Sequence, residues 1–329
     1  MNNIKKIGLS ALAGSLVAFS ANAAELSVSG GVEITYNDTG GNTGNEVTGN
    51  SYGANSNMTF TGSGDVGFGT VSMTRAINDG NTGWASSWQT LDMGDMGVFS
   101  FDSTGGALVG ITANDDLLPT AYEEAWTGVS SSGINGVGST NVIGYQNSFG
   151  MFSVSAGYSQ NGTSTGESAT SGEASHGSTT DISVKAEIMD GLTIQAGYAE
   201  DGATSVSTTS EDTTSIVGHV LYSTGPVSVG FRAAETNNGT AATASRSIEA
   251  MSIAFNVNDN FAISYGVQDT TVEAISATTT DVTEDVKGIS AAYTMGAASV
   301  RVMHNKSSDD NGSTGVDDEQ TEVSLVLSF

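Results

Sequence analysis

The sequence predicts an all-β fold, a transmembrane antiparallel β-barrel of about 16 strands. Three observations carry that prediction. Apolar and polar residues alternate with a period of two along many short segments. The segments come in pairs whose connectors alternate between short and long. An export leader opens the chain.

The leader has its three parts in order. Lys5 and Lys6 form a basic start, residues 7–19 are mostly apolar, and Ala21-Asn22-Ala23 is a small-residue cleavage site. The apolar part is too short to cross a bilayer as a helix. Residues 1–23 are therefore expected to be a signal peptide and residues 24–329 one barrel domain. Cleavage after Ala23 reduces 329 residues to 306. It removes two lysines and no acid, taking the net charge from −27 to −29.

No other stretch approaches the ~20 apolar residues of a membrane helix. The mean hydropathy of −0.08 fits a barrel, because lipid-facing and lumen-facing residues cancel. The absence of cysteine excludes a disulfide framework, thiol catalysis and thiolate metal sites. The acidic balance argues against nucleic acid as a partner. With 43 Gly and only 2 Pro, the chain is either strands joined by turns or a disordered polar polymer, and the alternation decides for strands.

In the first mature segment Leu26, Val28, Val32, Ile34 and Tyr36 share one side, and Ser27, Ser29, Glu33 and Thr35 the other. Phe152, Val154, Ala156 and Tyr158 alternate with serines. Asp181, Ser183, Lys185 and Glu187 form the polar side of the segment around Ile182. Phe261, Ile263, Tyr265 and Val267 repeat the apolar side, and Val323, Leu325, Leu327 and Phe329 close the chain. Short connectors are expected near 62–67, 94–97, 148–151, 190–191, 224–226, 258–260 and 295–297. Long polar ones are expected near 37–50, 78–83, 103–139, 161–180, 201–213, 235–246, 270–284 and 307–319. Asp190-Gly191 is a two-residue hairpin signal. Tyr36, Tyr52, Tyr158, Tyr198 and Tyr222 lie near strand ends, where an interfacial girdle belongs.

The function of a pore lies in its width and in the charges on its narrowest section. The connector 103–139 is the longest, and long loops in compact folds are functional or disordered. It carries Asp115, Asp116, Glu123 and Glu124, with Leu117, Leu118, Tyr122 and Trp126 as anchors. Folded inward it would narrow the lumen; the bland alternative is a loop lying over the rim. Alternation turns Glu33, Lys185, Glu187, His219, Arg232 and Arg301 toward the lumen, each base being open to a local carboxylate partner. Arg75 shares the apolar side of Val71 and Met73, which suits the rim or a subunit contact.

The acid pairs Glu211/Asp212, Glu284/Asp285, Asp309/Asp310 and Asp317/Asp318/Glu319 fall in long connectors and read as a solvated surface. They imply no cofactor and at most weak divalent-cation binding. No metal site is expected, since no segment matches an EF-hand loop or a GGxGxDxUx array. No catalytic residue is expected either. The chain lacks GxSxG and HExxH, although a serine-rich barrel leaves a membrane hydrolase open.

Taken together, the leader, the opening Leu26-Ser27-Val28-Ser29-Gly30 strand and the stretch Gly94-Asp95-Met96-Gly97-Val98-Phe99-Ser100-Phe101-Asp102 before the longest loop resemble the Gram-negative general porins, especially the alphaproteobacterial type. The terminal Phe329 resembles the aromatic that barrel-assembly machinery reads as an assembly signal. The resemblance covers essentially the whole chain. It implies a homotrimer in outer-membrane lipid, with an aqueous pore in each subunit for passive diffusion of ions and small hydrophilic solutes. It also implies an inward third loop whose acids face a basic wall. On that resemblance Asp102 joins Asp115, Asp116, Glu123 and Glu124 at the constriction, facing Lys185, Arg232 and Arg301. The chain departs from better-known members by its few arginines, and its acidity predicts cation preference. Alternatives are a substrate-specific channel, a plugged structural or adhesive barrel, and a soluble β-solenoid.

Overall fold

The computed structural model describes residues 25–42, 49–80, 83–104, 117–131, 133–134, 136–138, 140–160, 178–202, 212–239, 244–276 and 279–329. The leader lies outside these residues. Sixteen strands follow one another: β1 (Glu25–Gly41), β2 (Tyr52–Asp65), β3 (Thr70–Asn78), β4 (Ser86–Asp92), β5 (Val98–Thr104), β6 (Val142–Phe149), β7 (Phe152–Gln160), β8 (Ser178–Met189), β9 (Leu192–Asp201), β10 (Thr213–Thr224), β11 (Val227–Asn237), β12 (Arg246–Asn258), β13 (Phe261–Val272), β14 (Val282–Met295), β15 (Ala298–Ser308) and β16 (Asp317–Ser328).

Each strand pairs antiparallel with its sequence neighbours, and β1 pairs with β16, so the sheet closes into a barrel. Closure leaves no strand edge with unpaired backbone groups, as a hydrocarbon surrounding demands. The alternation is that of a soluble core turned inside out. On β11, Val229, Phe231 and Ala233 are exposed while Gly230, Arg232, Ala234 and Thr236 are buried. Large apolar side chains dominate the exposed side of nearly every strand. The covered side carries Ser100, Asp102, Asp181, Gln195, His219, Gln268 and Asn305 beside a few apolar residues. Tyr36, Tyr52, Tyr158, Tyr198 and Tyr222 all sit on the exposed side, and the rings of Tyr36 and Tyr52 meet edge to face at 5.4 Å.

The turns at one end are tight. Asp190-Gly191 alone joins β8 to β9, and Gly225-Pro226 alone joins β10 to β11. Gly191 has φ +77°, and a Cβ there would lie 2.2 Å from the Ser223 carbonyl oxygen, so only glycine fits. Several strands run further into the polar end than the alternation suggested. β1 continues to Gly41, pairing Asn37, Asp38 and Thr39 with Glu322, Thr321 and Gln320. Glu284 and Asp285 lie in β14, and Asp317, Asp318 and Glu319 in β16, rather than in connectors. The ladder outlasts the apolar pattern because backbone pairing continues where the outer face meets water instead of lipid.

Candidate pore lining and the segment that crosses it

The described part of the connector between β5 and β6 is residues 117–131, 133–134 and 136–138, and its contacts fall on the covered side of the wall. The outward run proceeds strand by strand. The Ser252 hydroxyl on β12 donates to the Pro119 carbonyl at 3.0 Å. The Ala121 N–H donates to Ser264 Oγ on β13 at 2.9 Å, and the Tyr122 N–H to Ser290 Oγ on β14 at 3.1 Å. On β15, Asn305 Nδ2 donates to the carbonyls of Glu124 and Thr127, each at 2.9 Å. The Tyr122 hydroxyl reaches Glu322 Oε1 on β16 at 2.5 Å.

The chain then returns along the wall. The Ser130 hydroxyl donates to Glu284 Oε2 on β14 at 3.0 Å, and Gln268 Nε2 on β13 to the Ser131 carbonyl at 3.0 Å. Thr236 Oγ1 on β11 donates to the Gly133 carbonyl at 2.8 Å. Ile134 packs on Ala199, Val217, Ala234 and Ile248 from β9 to β12. The Val137 N–H donates to Asp181 Oδ2 on β8 at 3.0 Å. Buried backbone groups need partners, and here wall side chains supply them.

Three anchors hold the outward run. Leu118 is buried beside Gly230. Trp126 stacks on the Arg232 guanidinium, 4.9 Å from ring centroid to Cζ. The Tyr122 ring lies 5.3 Å from Arg301 Cζ. Such contacts contribute about 0.5–2 kcal/mol, more when dry. Burial, and then the carboxylate of Glu322, push the Tyr122 hydroxyl well above the ordinary tyrosine range.

The residues singled out from sequence distribute as follows. Glu123 and Glu124 are half-buried in the crossing segment, and the Thr127 hydroxyl reaches a carboxylate oxygen of each at 3.3 Å. Asp102 is 1 % exposed on β5, opposite Trp88 and Val142. Asp115 and Asp116 lie outside the described residues. Lys185 and Glu187 share the side of Asp181, Lys185 half-buried and Glu187 exposed. Glu33 is half-buried on β1 and accepts from the Ser324 hydroxyl. His219 and Arg232 face each other across β10 and β11 and are 2 % and 0 % exposed, so neither the imidazole nor the guanidinium meets open water. Arg301 is half-buried under Tyr122. Arg75 lies on the outer side, where its guanidinium meets the amide oxygen of Gln89 at 2.6 and 2.8 Å. Phe329 is exposed, and its backbone exchanges hydrogen bonds of 2.9 and 3.0 Å with Gly30.

Sequence reasoning passed over Asp181, Glu284, Glu322, Asn305 and the wall serines. Glu284 looks like connector surface, and the others look like any other polar residue on the alternating side. The glycines at 230, 266 and 288 were the available signal, since glycine within a strand marks close backbone approach.

Among solved structures the fold has clear counterparts. An anion-selective porin from Comamonas acidovorans has TM-score 0.66 and 16% identity, over 93% of this chain and 100% of that one. The trimer form of the Vibrio cholerae outer-membrane protein OmpT has TM-score 0.64 and 15% identity, over 94% and 100%. OmpF of Salmonella typhi, in complex with daunomycin, has TM-score 0.66 and 14% identity, over 92% and 97%. No curated protein sequence matches the chain. The profile of the Gram-negative porins matches residues 8–328, and with a closed sixteen-strand barrel behind that match, the chain belongs to the Gram-negative porin family.

Proposed function

We propose that the protein is a passive, cation-preferring diffusion pore of the outer membrane, narrowed by its 103–139 connector. Ions and small hydrophilic solutes cross down their gradients, with no covalent step. The observation that carries the sign is the covering of the basic wall. Arg232 is fully buried under Trp126, and Arg301 is half-covered by Tyr122. Half-buried or exposed carboxylates of Glu33, Glu123, Glu124, Glu187 and Glu322 remain beside the lumen. The same barrel form is anion-selective in the Comamonas protein, so fold leaves the sign open and side chains decide it. The contacts of the described part of the connector with β8 to β16 support an inward constriction. Asp115 and Asp116 join it as acids of the same connector, while Asp102 at its root is nearly as covered as Arg232 and adds no exposed charge.

The same reading includes export with cleavage after Ala23, a homotrimer, and Phe329 as the residue offered to the assembly machinery. The test is single-channel recording of refolded protein in a planar bilayer under a salt gradient. Large, nearly ohmic steps in groups of three, with a cation-biased reversal potential, are expected. Anion bias would overturn the preference. A folded barrel without steps would overturn the pore and leave a plugged one.

A further inference from the structure

We propose that a row of side-chain-poor residues on the inner wall, Gly230, Ser252, Gly266 and Gly288, is a built seat for residues 118–125 and thereby sets the aperture of the pore. The inference rests on the constriction reading above.

The four positions form one register row. Gly230 pairs with Ser252, Ser252 with Gly266, and Gly266 with Gly288, crossing β11 to β14. The row ends at Asn305 on β15, which pairs with Gly288 and holds the carbonyls of Glu124 and Thr127. None of the three glycines has a positive φ, so the strands themselves would accept side chains. Glycine within a strand forgoes packing and costs entropy. What stands in the way is the crossing segment. A Cβ at Gly230 would lie 2.5 Å from Pro119 Cδ and 2.9 Å from Leu118 Cδ2. One at Gly288 would lie 2.6 Å from Ala125 Cα, and 2.2 Å from Oδ1 of the Asn305 that grips the segment. One at Gly266 would lie 3.2 Å from Ala125 Cβ.

The seat also reads the segment's register. Ser252 takes the Pro119 carbonyl, and Ser264 and Ser290, bonded to each other at 2.7 Å, take the N–H groups of Ala121 and Tyr122. A one-residue slip would misplace these bonds together. The row thus supplies room and the flanking hydroxyls supply position; both act through the segment, as positioning residues.

The experiment pairs two readouts. First, Gly230→Val and Gly288→Val are refolded and checked by heat-dependent mobility in gels, beside Gly218→Val. A Cβ at Gly218 meets nothing closer than 3.9 Å. Single-channel conductance of the two seat variants is expected to rise about twofold or more, with larger sugars admitted in vesicle swelling. Gly218→Val should conduct like the parent. Folded seat variants with parental conductance and size limit would overturn the seat. Second, in the otherwise cysteine-free chain, Ala121→Cys with Ser264→Cys is treated with a short bis-alkylating reagent and read by mass spectrometry. A link is expected in the folded barrel, and its absence overturns the seat. If the parent protein conducts nothing yet the link forms, the pore reading falls and the seat stands.

Discussion

The Tyr122 hydroxyl joins the crossing segment to β16 through Glu322, and its removal is a residue-scale test. Tyr122→Phe deletes one hydrogen bond to a carboxylate, worth about 1.5–3 kcal/mol. The expected result is a lower unfolding midpoint and a stronger cation bias, since Glu322 is left to the lumen. The alkaline titration has a definite sign. A phenol whose pKa is raised on folding contributes stability that is complete below the ordinary tyrosine value near 10 and is lost as pH rises through the folded value. Wild type should therefore lose this contribution as pH rises above about 10, a loss absent from Tyr122→Phe. In absorbance titration, folded wild type and folded Tyr122→Phe should show the same phenolate count at about pH 11 and should differ by one once unfolded. Arg232 gives the opposite contrast. Covered by Trp126, it should shift the reversal potential far less on conversion to Gln than Lys185 does.

At the scale of elements, the outer faces make the membrane assignment testable. Phe231 lies mid-strand and Glu235 near the long-connector end, on the same side of β11. Phe231→Arg is expected to destabilise the barrel in lipid vesicles by about 2–4 kcal/mol, and Glu235→Arg by about 0–1 kcal/mol, measured by reversible denaturant unfolding. Equal costs would place the bilayer elsewhere. At the β8–β9 turn, Gly191→Ala forces a Cβ onto the Ser223 carbonyl and should cost more than about 1 kcal/mol. Here sequence and structure agree unevenly. Asp190-Gly191 was legible because a two-residue turn has its own chemistry. Glu284 was not: the acid pair Glu284/Asp285 looks like loop surface, yet Glu284 is buried on β14 and receives the Ser130 hydroxyl. Charge pattern reports solvent, whereas the ladder follows backbone pairing, and the two part company near the rim.

For the whole molecule, the strand count was legible because connector lengths alternate, and even parity returns both ends of the chain to one side. Leu118, Tyr122 and Trp126 stood out as anchors, since a solvated loop has little use for them. Their partners did not, because Ser252, Ser264, Ser290 and Asn305 satisfy the same alternation as every other polar wall residue. Which of them touch the crossing segment depends on contacts more than a hundred residues apart, which no local pattern encodes. The seam between β1 and β16 is equally nonlocal. A Cβ at Gly30 would lie 2.8 Å from the Phe329 ring and 2.6 Å from the Asn57 carbonyl oxygen on β2. Gly30→Val should therefore displace that ring and slow barrel closure, read as delayed appearance of the heat-modifiable form during refolding.

The contrast between two-residue turns at one end and acid-laden connectors at the other also governs how the molecule can enter a membrane. Carrying ionised carboxylates through hydrocarbon demands stripping their water, which costs many kcal/mol for each. The β8–β9 and β10–β11 turns carry one carboxylate between them, that of Asp190, whereas the opposite end bears Asp281, Asp309, Asp310 and Asp317. Bacterial outer-membrane barrels keep their short turns in the periplasm, so a chain exported to that side must send its acidic end across. Unaided entry therefore meets its largest barrier at the acidic end, and lowering that barrier is the work left to the assembly machinery proposed to read Phe329.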